Sequence, residues 1–193
     1  MINSKKETFK TAVILCGGKG SRLGSLSKKL PKSLVKIEKK PIIWYILKIL
    51  KKNGFNHFIL PIGYKGELIL NYISKSHQFK DYNIDIVNTG VDMPISHRIY
   101  KIKDLIKSTN FLLLNGDAIF DFNLKKIFNT HHKLKKTLIT FFGTHANLPY
   151  GTIMIKNGLV QTFKRDIVYD SVMQSFSTDK CINYIYSGMA IIK

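Results

Sequence analysis

Three short apolar stretches limit what this chain can fold into: Thr11–Cys16, Phe58–Ile62 and Phe111–Leu114. Each is too brief for a helix and lacks the polar alternation of a half-exposed strand, so each reads as a strand buried on both faces. Segments with helical spacing lie between them. Pro41 opens one, whose apolar residues Ile42, Ile43, Ile46, Leu47, Ile49 and Leu50 share a face, and Asn53-Gly54 supplies its stop. Further helices are expected over Gly66–Ser74, Ile99–Ile106 and Leu124–Leu134, with a strand at Ile84–Val87. This alternation through residue 135 predicts an α/β fold with a mostly parallel sheet covered by helices on both faces. Beyond it the chain turns β-rich, with strands expected over Thr137–Phe142, Gly151–Ile155, Leu159–Phe163 and Ile182–Ile192. Lys156-Asn157-Gly158 joins two of these in a hairpin. No repeat, low-complexity tract or linker interrupts the 193 residues, so a single domain is expected over 1–193, in two halves, 11–135 and 136–193.

Composition narrows the class. At 45% hydrophobic and 22% charged the chain is globular in character. No apolar run reaches the roughly 18 residues of a membrane span. Met1–Lys10 lacks the apolar stretch of a secretory signal. Cys16 and Cys181 match no metal-ligand spacing and are expected to be buried thiols in a reducing cytoplasm. The net charge of +19 comes from 28 lysines and only 3 arginines, scattered without a dense block. Nucleic-acid readers favour arginine, so this charge reads as a lysine-rich solvated surface with a general attraction for anions.

The first apolar run ends in Gly17-Gly18-Lys19-Gly20-Ser21-Arg22-Leu23. Doubly wound sheets bind their ligands at such carboxyl ends of strands. Glycines admit positive φ and let backbone N–H groups approach phosphate, while Arg22 and Lys32 add charge. The spacing is not that of a P-loop. Nor is it G-x-G-x-x-G, because Leu23 follows where a glycine is needed and Gly24 comes one place late. The residues alone leave two readings open, an anion-binding loop or a tight structural turn.

Leu15-Cys16-Gly17-Gly18-Lys19-Gly20-Ser21-Arg22-Leu23, followed by Leu30-Pro31-Lys32-Ser33 and Lys40-Pro41-Ile42-Ile43, resembles the signature of the sugar-phosphate nucleotidyltransferases. These enzymes join a sugar 1-phosphate to a nucleoside triphosphate and release pyrophosphate. The resemblance extends to about Phe163. It implies a Rossmann-like nucleotide half with a β-rich sugar-side extension. It also implies that Leu15, Gly17, Gly18, Gly20 and Arg98 bind the nucleotide, that Arg22 and Lys32 are catalytic, and that Gly151 and Gly188 lie on the sugar side. Such roles make physical sense, since attack on the α-phosphorus builds negative charge that fixed cations and donors stabilise. Asn115-Gly116-Asp117 follows a buried strand. Asp117 alone reads more readily as a turn or cap aspartate, but the resemblance implies a ligand of Mg²⁺, which takes one or two carboxylates plus phosphate oxygens. Asp121 is expected to cap the helix starting near Leu124.

Three stretches look like the glucose-1-phosphate cytidylyltransferase branch: Gly63-Tyr64-Lys65-Gly66, Asn88-Thr89-Gly90, and Tyr150-Gly151-Thr152 with Gly158–Phe163. There are departures. Ile95-Ser96-His97-Arg98 stands in place of Thr-Gly-Gly-Arg, leaving His97 either a replaced ligand contact or a loop residue without catalytic role. Arg165-Asp166-Ile167 stands in place of Glu-Lys-Pro, so the sugar-phosphate lysine is missing from its matched position, and whether Lys164 substitutes is left open. The family's second metal aspartate lies beyond the Ser187-Gly188 strand, and none of Asp166, Asp170 or Asp179 occupies its place. The expectation is therefore a C-terminally short domain, compensated by a partner subunit or altered geometry, or inactive. The expected partners are a nucleoside triphosphate, possibly CTP, and a sugar 1-phosphate, in the cytoplasm, with no membrane and no specific nucleic acid. A homo-oligomer is left open. Two rivals stand beside the enzyme: a nucleotide-binding module without turnover, and a nucleic-acid binder suggested by charge alone.

Overall fold

The computed structural model describes residues 11–20, 28–144, 152–164 and 185–193. The elements run β1 (Thr11–Leu15), β2 (Lys36–Ile37), β3 (Lys40–Pro41), α1 (Ile42–Lys52), β4 (His57–Ile62), α2 (Gly66–Lys75), β5 (Asn83–Asn88), α3 (Ile95–Ile102), β6 (Phe111–Asn115), α4 (Leu124–Lys133), β7 (Ile139–Thr144), β8 (Thr152–Lys156), β9 (Leu159–Lys164) and β10 (Ile185–Ile192). Six strands form one sheet in the order β5-β4-β1-β6-β10-β7. The first four neighbours are parallel, with Val13 opposite Ile59 on one side and Leu113 on the other. β10 runs antiparallel to β6, Met189 opposite Leu114. The sheet is thus mixed and mostly parallel with helices flanking it, the α/β class expected.

Burial explains why the strands lack polar alternation. Val13, Ile59 and Leu113 pack with Ile102 and Phe111 on one face, against Ile99 and Leu105. Ala12, Ile14, Phe58 and Leu60 alternate to the other face and are equally buried. α1 buries Ile43, Ile46, Leu47 and Leu50, the stripe its sequence sets out.

Several boundaries differ from expectation, each for a local reason. Pro41 is the cap residue of α1, not its first helical residue; it pairs with Lys36 in the small β2–β3 ladder, and its ψ of 155° is extended. α3 begins at Ile95, four residues early, behind Pro94 as cap. Its first turn inverts the amphipathic pattern, with Ile95 about half exposed and Arg98 buried. The cap of α4 is Asn123, whose side chain accepts from the N–H of Lys126 at 3.0 Å. Asp121 does not fill that role, because it sits two residues too far back to reach the first-turn N–H groups. β8 and β9 pair antiparallel around Asn157 and Gly158, at φ 53° and 76°, the positive pair that a two-residue hairpin needs.

The chain divides into two compact units, one of Met1–Thr140 with Gly188–Lys193 and one of Phe141–Ser187. In the smaller unit Ser187 Oγ donates to the Phe142 carbonyl at 3.0 Å, and the Phe141 and Tyr186 rings meet edge to face. Among the described residues no helix is long and apolar enough to cross a membrane.

Candidate nucleotide site

A cleft of about 650 Å³ opens at the carboxyl ends of the parallel strands, large enough for a nucleotide. Three loops line it: Gly17–Gly20 after β1, Val91–Pro94 after β5, and Gly116-Asp117 after β6, with Lys32 and Ser33 closing one side. Position at the strand ends follows from the parallel order, since each β-to-α connection emerges on the same edge.

Leu15, Gly17, Gly18, Gly20, Lys32, Arg98 and Asp117 all border this one cleft. Arg22 and Gly151 lie outside the described residues, as do Cys181, Arg165 and Asp166. Gly188, at φ 84°, sits beside Asn115 at the end of β6; a Cβ there would come within 2.9 Å of the Asn115 amide.

The glycines of the loop differ in what holds them. Gly20 has φ 65°, and a Cβ would meet Lys32 Cγ at 2.7 Å, so the loop lies directly on the lysine stem. Gly17 has no room for a Cβ, because the Arg98 guanidinium fills that space. Gly18 has nothing within 4 Å of where a Cβ would stand. Open space beside a glycine on the cleft is where a ligand can approach the backbone closely.

Two ion pairs cross the cleft. Lys32 Nζ meets Asp117 Oδ2 at 2.9 Å, with the two side chains 23% and 35% exposed. Lys19 Nζ meets Asp92 at 2.8 Å between two well-exposed side chains. The first joins the residue expected to be catalytic to the one expected to hold metal. The second joins the glycine loop to the loop before α3 and had no counterpart in the sequence reading; Asp92 belongs to no motif that would have marked it.

Asp117 presents a hard oxygen donor to the cleft, partly exposed and already beside a cation. A carboxylate placed so fits one ligand position of a Mg²⁺ that keeps phosphate and water oxygens for the rest. Among the described residues no three of His, Cys, Asp and Glu gather as a full protein cage. The site therefore suits a cation arriving with phosphate.

Cys16 also borders the cleft, buried. Burial pushes its thiol up to about 12; the Ser33 hydroxyl opposes the rise and the Asp117 charge adds to it. It stays protonated near neutrality and supplies no nucleophile.

Comparison with known proteins bears on this geometry. Residues 11–165 match the family model described as nucleotidyl transferase. The chain is 34% identical over 181 residues to a probable glucose-1-phosphate cytidylyltransferase of Bacillus subtilis (strain 168), covering 84% of this chain and 71% of that one. It is 33% identical over 156 residues to the D-glycero-alpha-D-manno-heptose 1-phosphate guanylyltransferase of Aneurinibacillus thermoaerophilus, covering 79% and 66%. The aligned part thus spans about two thirds to seven tenths of these relatives' lengths. Among solved structures, HddC from Yersinia pseudotuberculosis complexed with GMP-PN superposes with a TM-score of 0.68 at 22% identity, over 96% of this chain and 77% of that one, a likeness of fold. The glycine loop, the aspartate after β6 and the four parallel strands of the sheet thus fall where the family model matches, and the chain belongs to the nucleotidyl transferase family, with sugar-phosphate nucleotidyltransferases as its relatives.

Proposed function

We propose that this chain is an enzyme converting a nucleoside triphosphate and a sugar 1-phosphate to a nucleotide sugar and pyrophosphate. The observation that carries the reading is the Lys32–Asp117 pair at 2.9 Å beside the Gly17–Gly20 loop. A cation and a carboxylate held together at the strand ends, next to a loop with open backbone, are what a triphosphate needs on arrival. An oxygen of the sugar phosphate attacks the α-phosphorus, and the bond from that phosphorus to the bridging oxygen breaks as pyrophosphate departs. Lys32 gives fixed positive charge to the oxygens where negative charge accumulates, and the backbone at Gly18 to Gly20 supplies N–H donors. Arg22, two residues further along the sequence, is proposed to share that work. Asp117 would hold Mg²⁺, which when bound neutralises phosphate charge and orients the triphosphate.

CTP is the favoured nucleotide, because a cytidylyltransferase stands among the relatives and Gly63-Tyr64-Lys65-Gly66 resembles that branch. Guanylyltransferases also stand among them, so GTP is the second choice. Gly151 and Gly188 are assigned to the sugar side. A nucleotide sugar destined for surface polysaccharide, made in the cytoplasm where triphosphates are abundant, completes the proposal.

The test is pyrophosphate release with Mg²⁺ across four nucleoside triphosphates and several sugar 1-phosphates. Release with one pair names both substrates, and Lys32→Ala then lowers turnover by about a hundredfold, the cost of one oxyanion donor. Unchanged turnover in Lys32→Ala refutes its catalytic role. Silence across the matrix, with a nucleotide still raising the melting temperature, selects the binding module without turnover.

A further inference from the structure

Arg98 is 4% exposed, although it borders the cleft and arginine is seldom buried without partners. All five of its N–H groups have acceptors in the protein. Nε donates to the Met93 carbonyl at 3.1 Å. Nη1 donates to Thr89 Oγ1 at 2.5 Å and the Gly90 carbonyl at 2.8 Å, with the Ile62 carbonyl at 3.4 Å. Nη2 donates to the carbonyls of Gly17 at 3.1 Å and Val91 at 2.8 Å. One planar group therefore ties together the ends of β1, β4 and β5 and the entry to α3.

This arrangement has a consequence for the glycine loop. The Gly17 carbonyl accepts from Arg98 and from the Tyr64 N–H at 3.2 Å, so it is held toward the protein. A trans peptide is planar, with its C=O and N–H opposed. Fixing the Gly17 carbonyl inward turns the Gly18 N–H the other way, and Gly18 borders the cleft with nothing within 4 Å of where its Cβ would stand. We infer that Arg98 is a positioning residue that orients the Gly17–Gly18 peptide so that its N–H serves as a phosphate donor, and that Arg98 itself does not ligate phosphate. The inference rests on the nucleotide-binding reading of the loop. It also explains Gly17, where a Cβ would overlap the guanidinium; at Gly63 a Cβ would meet the Gly90 carbonyl first, at 2.2 Å, then the Gly17 carbonyl at 2.8 Å and Nη1 at 3.0 Å. Thr89, buried and donating to the Ile62 carbonyl at 2.9 Å, is the hydroxyl that completes the network.

A double-mutant cycle between Arg98→Ala and Gly17→Ala tests it, with Gly18→Ala as the uncoupled comparison. In the free protein each of Arg98→Ala and Gly17→Ala lowers the melting temperature, and the pair together lowers it no further than Arg98→Ala alone, since removing the guanidinium makes room for the Cβ. Gly18→Ala adds its effect independently of Arg98. Additive losses for Arg98 with Gly17 overturn the clamp, and this reading needs no nucleotide, so it survives a failure of the proposed activity. Arg98→Lys serves if Arg98→Ala does not fold: it keeps the charge but cannot bridge three loops. In the active enzyme Arg98→Lys raises KM for the nucleotide by about tenfold or more, as loss of charge-assisted hydrogen bonds that hold the loop predicts, and lowers kcat along with it because the same Gly18 N–H serves the transition state, with the KM for sugar phosphate within about threefold. A fall in kcat at unchanged nucleotide KM would show that Arg98 acts on the reacting phosphate and overturn the inference.

Discussion

At the scale of single residues, the buried thiol of Cys16 gives a consequence that pH can read. Its ordinary value of 9.0 is raised to about 12 in the fold, chiefly by burial. Below pH 9 the folded and unfolded chains both keep the proton. Above it the unfolded chain loses the proton and the folded chain retains it, so folding stability falls by about 1.4 kcal/mol per pH unit until the folded thiol ionises too. Cys16→Ala removes that slope. Denaturant unfolding between about pH 9 and 10.5 should show a flatter stability profile for the variant than for the parent, and equal profiles would dispose of the argument. The sequence made Cys16 a buried thiol, which it is. It could not distinguish the three glycines that follow. Gly17, Gly18 and Gly20 look alike as letters, yet one makes room for a guanidinium, one faces open space and one holds positive φ over a lysine stem. Those differences come from residues far along the chain.

At the scale of elements, hydrophobic periodicity located every long helix and strand among the described residues, because burial on one stripe or on both faces leaves a pattern in the letters. It failed where burial contradicted polarity. The start of α3 at Ile95 escapes the periodicity because a buried Arg98 and an exposed Ile95 reverse the expected stripe. The start of α4 was legible only to within a turn: an Asp and an Asn two residues apart are both good caps, and geometry selects Asn123. Asn123→Ala should therefore cost about 1 kcal/mol of stability while Asp121→Ala stays within about 0.5 kcal/mol. Equilibrium denaturation of both variants checks this, and a larger loss at Asp121 would reverse the assignment. His131, in the last turn of α4, illustrates a histidine that is structural: its ring nitrogens meet Thr140 at 2.7 Å and Asn110 at 3.1 Å. Burial, with His132 and Lys193 nearby, holds its pKa below the usual value.

At the scale of the whole molecule, the formal charge of +19 sets a background attraction for polyphosphates. Screening shortens that attraction, with a Debye length of about 10 Å at 0.1 M salt and 3 Å at 1 M. Nucleoside triphosphate affinity should drop several-fold between about 0.05 and 0.5 M KCl, and a nucleoside monophosphate should lose less. Thermal-shift titration at the two salts measures both, and salt-independent affinity would mean that local contacts alone carry the binding. Composition made this background legible, whereas the pairing of individual lysines with Asp92 and Asp117 needed the sheet order, which spacing does not contain.

That dependence on sheet order bears on how the chain reaches its working form. Lys19 pairs with Asp92 across 73 residues, Arg98 holds Gly17 across 81, and Lys32 meets Asp117 across 85. None of these contacts can form before β1 has docked between β4 and β6. A collapsed intermediate with its helices in place but its strands unregistered presents no cleft. Nucleotide in the medium then cannot template the search for the native topology, whose rate belongs to long-range strand pairing. It can only retard escape from the finished fold, lengthening the lifetime of the native state without hastening its arrival.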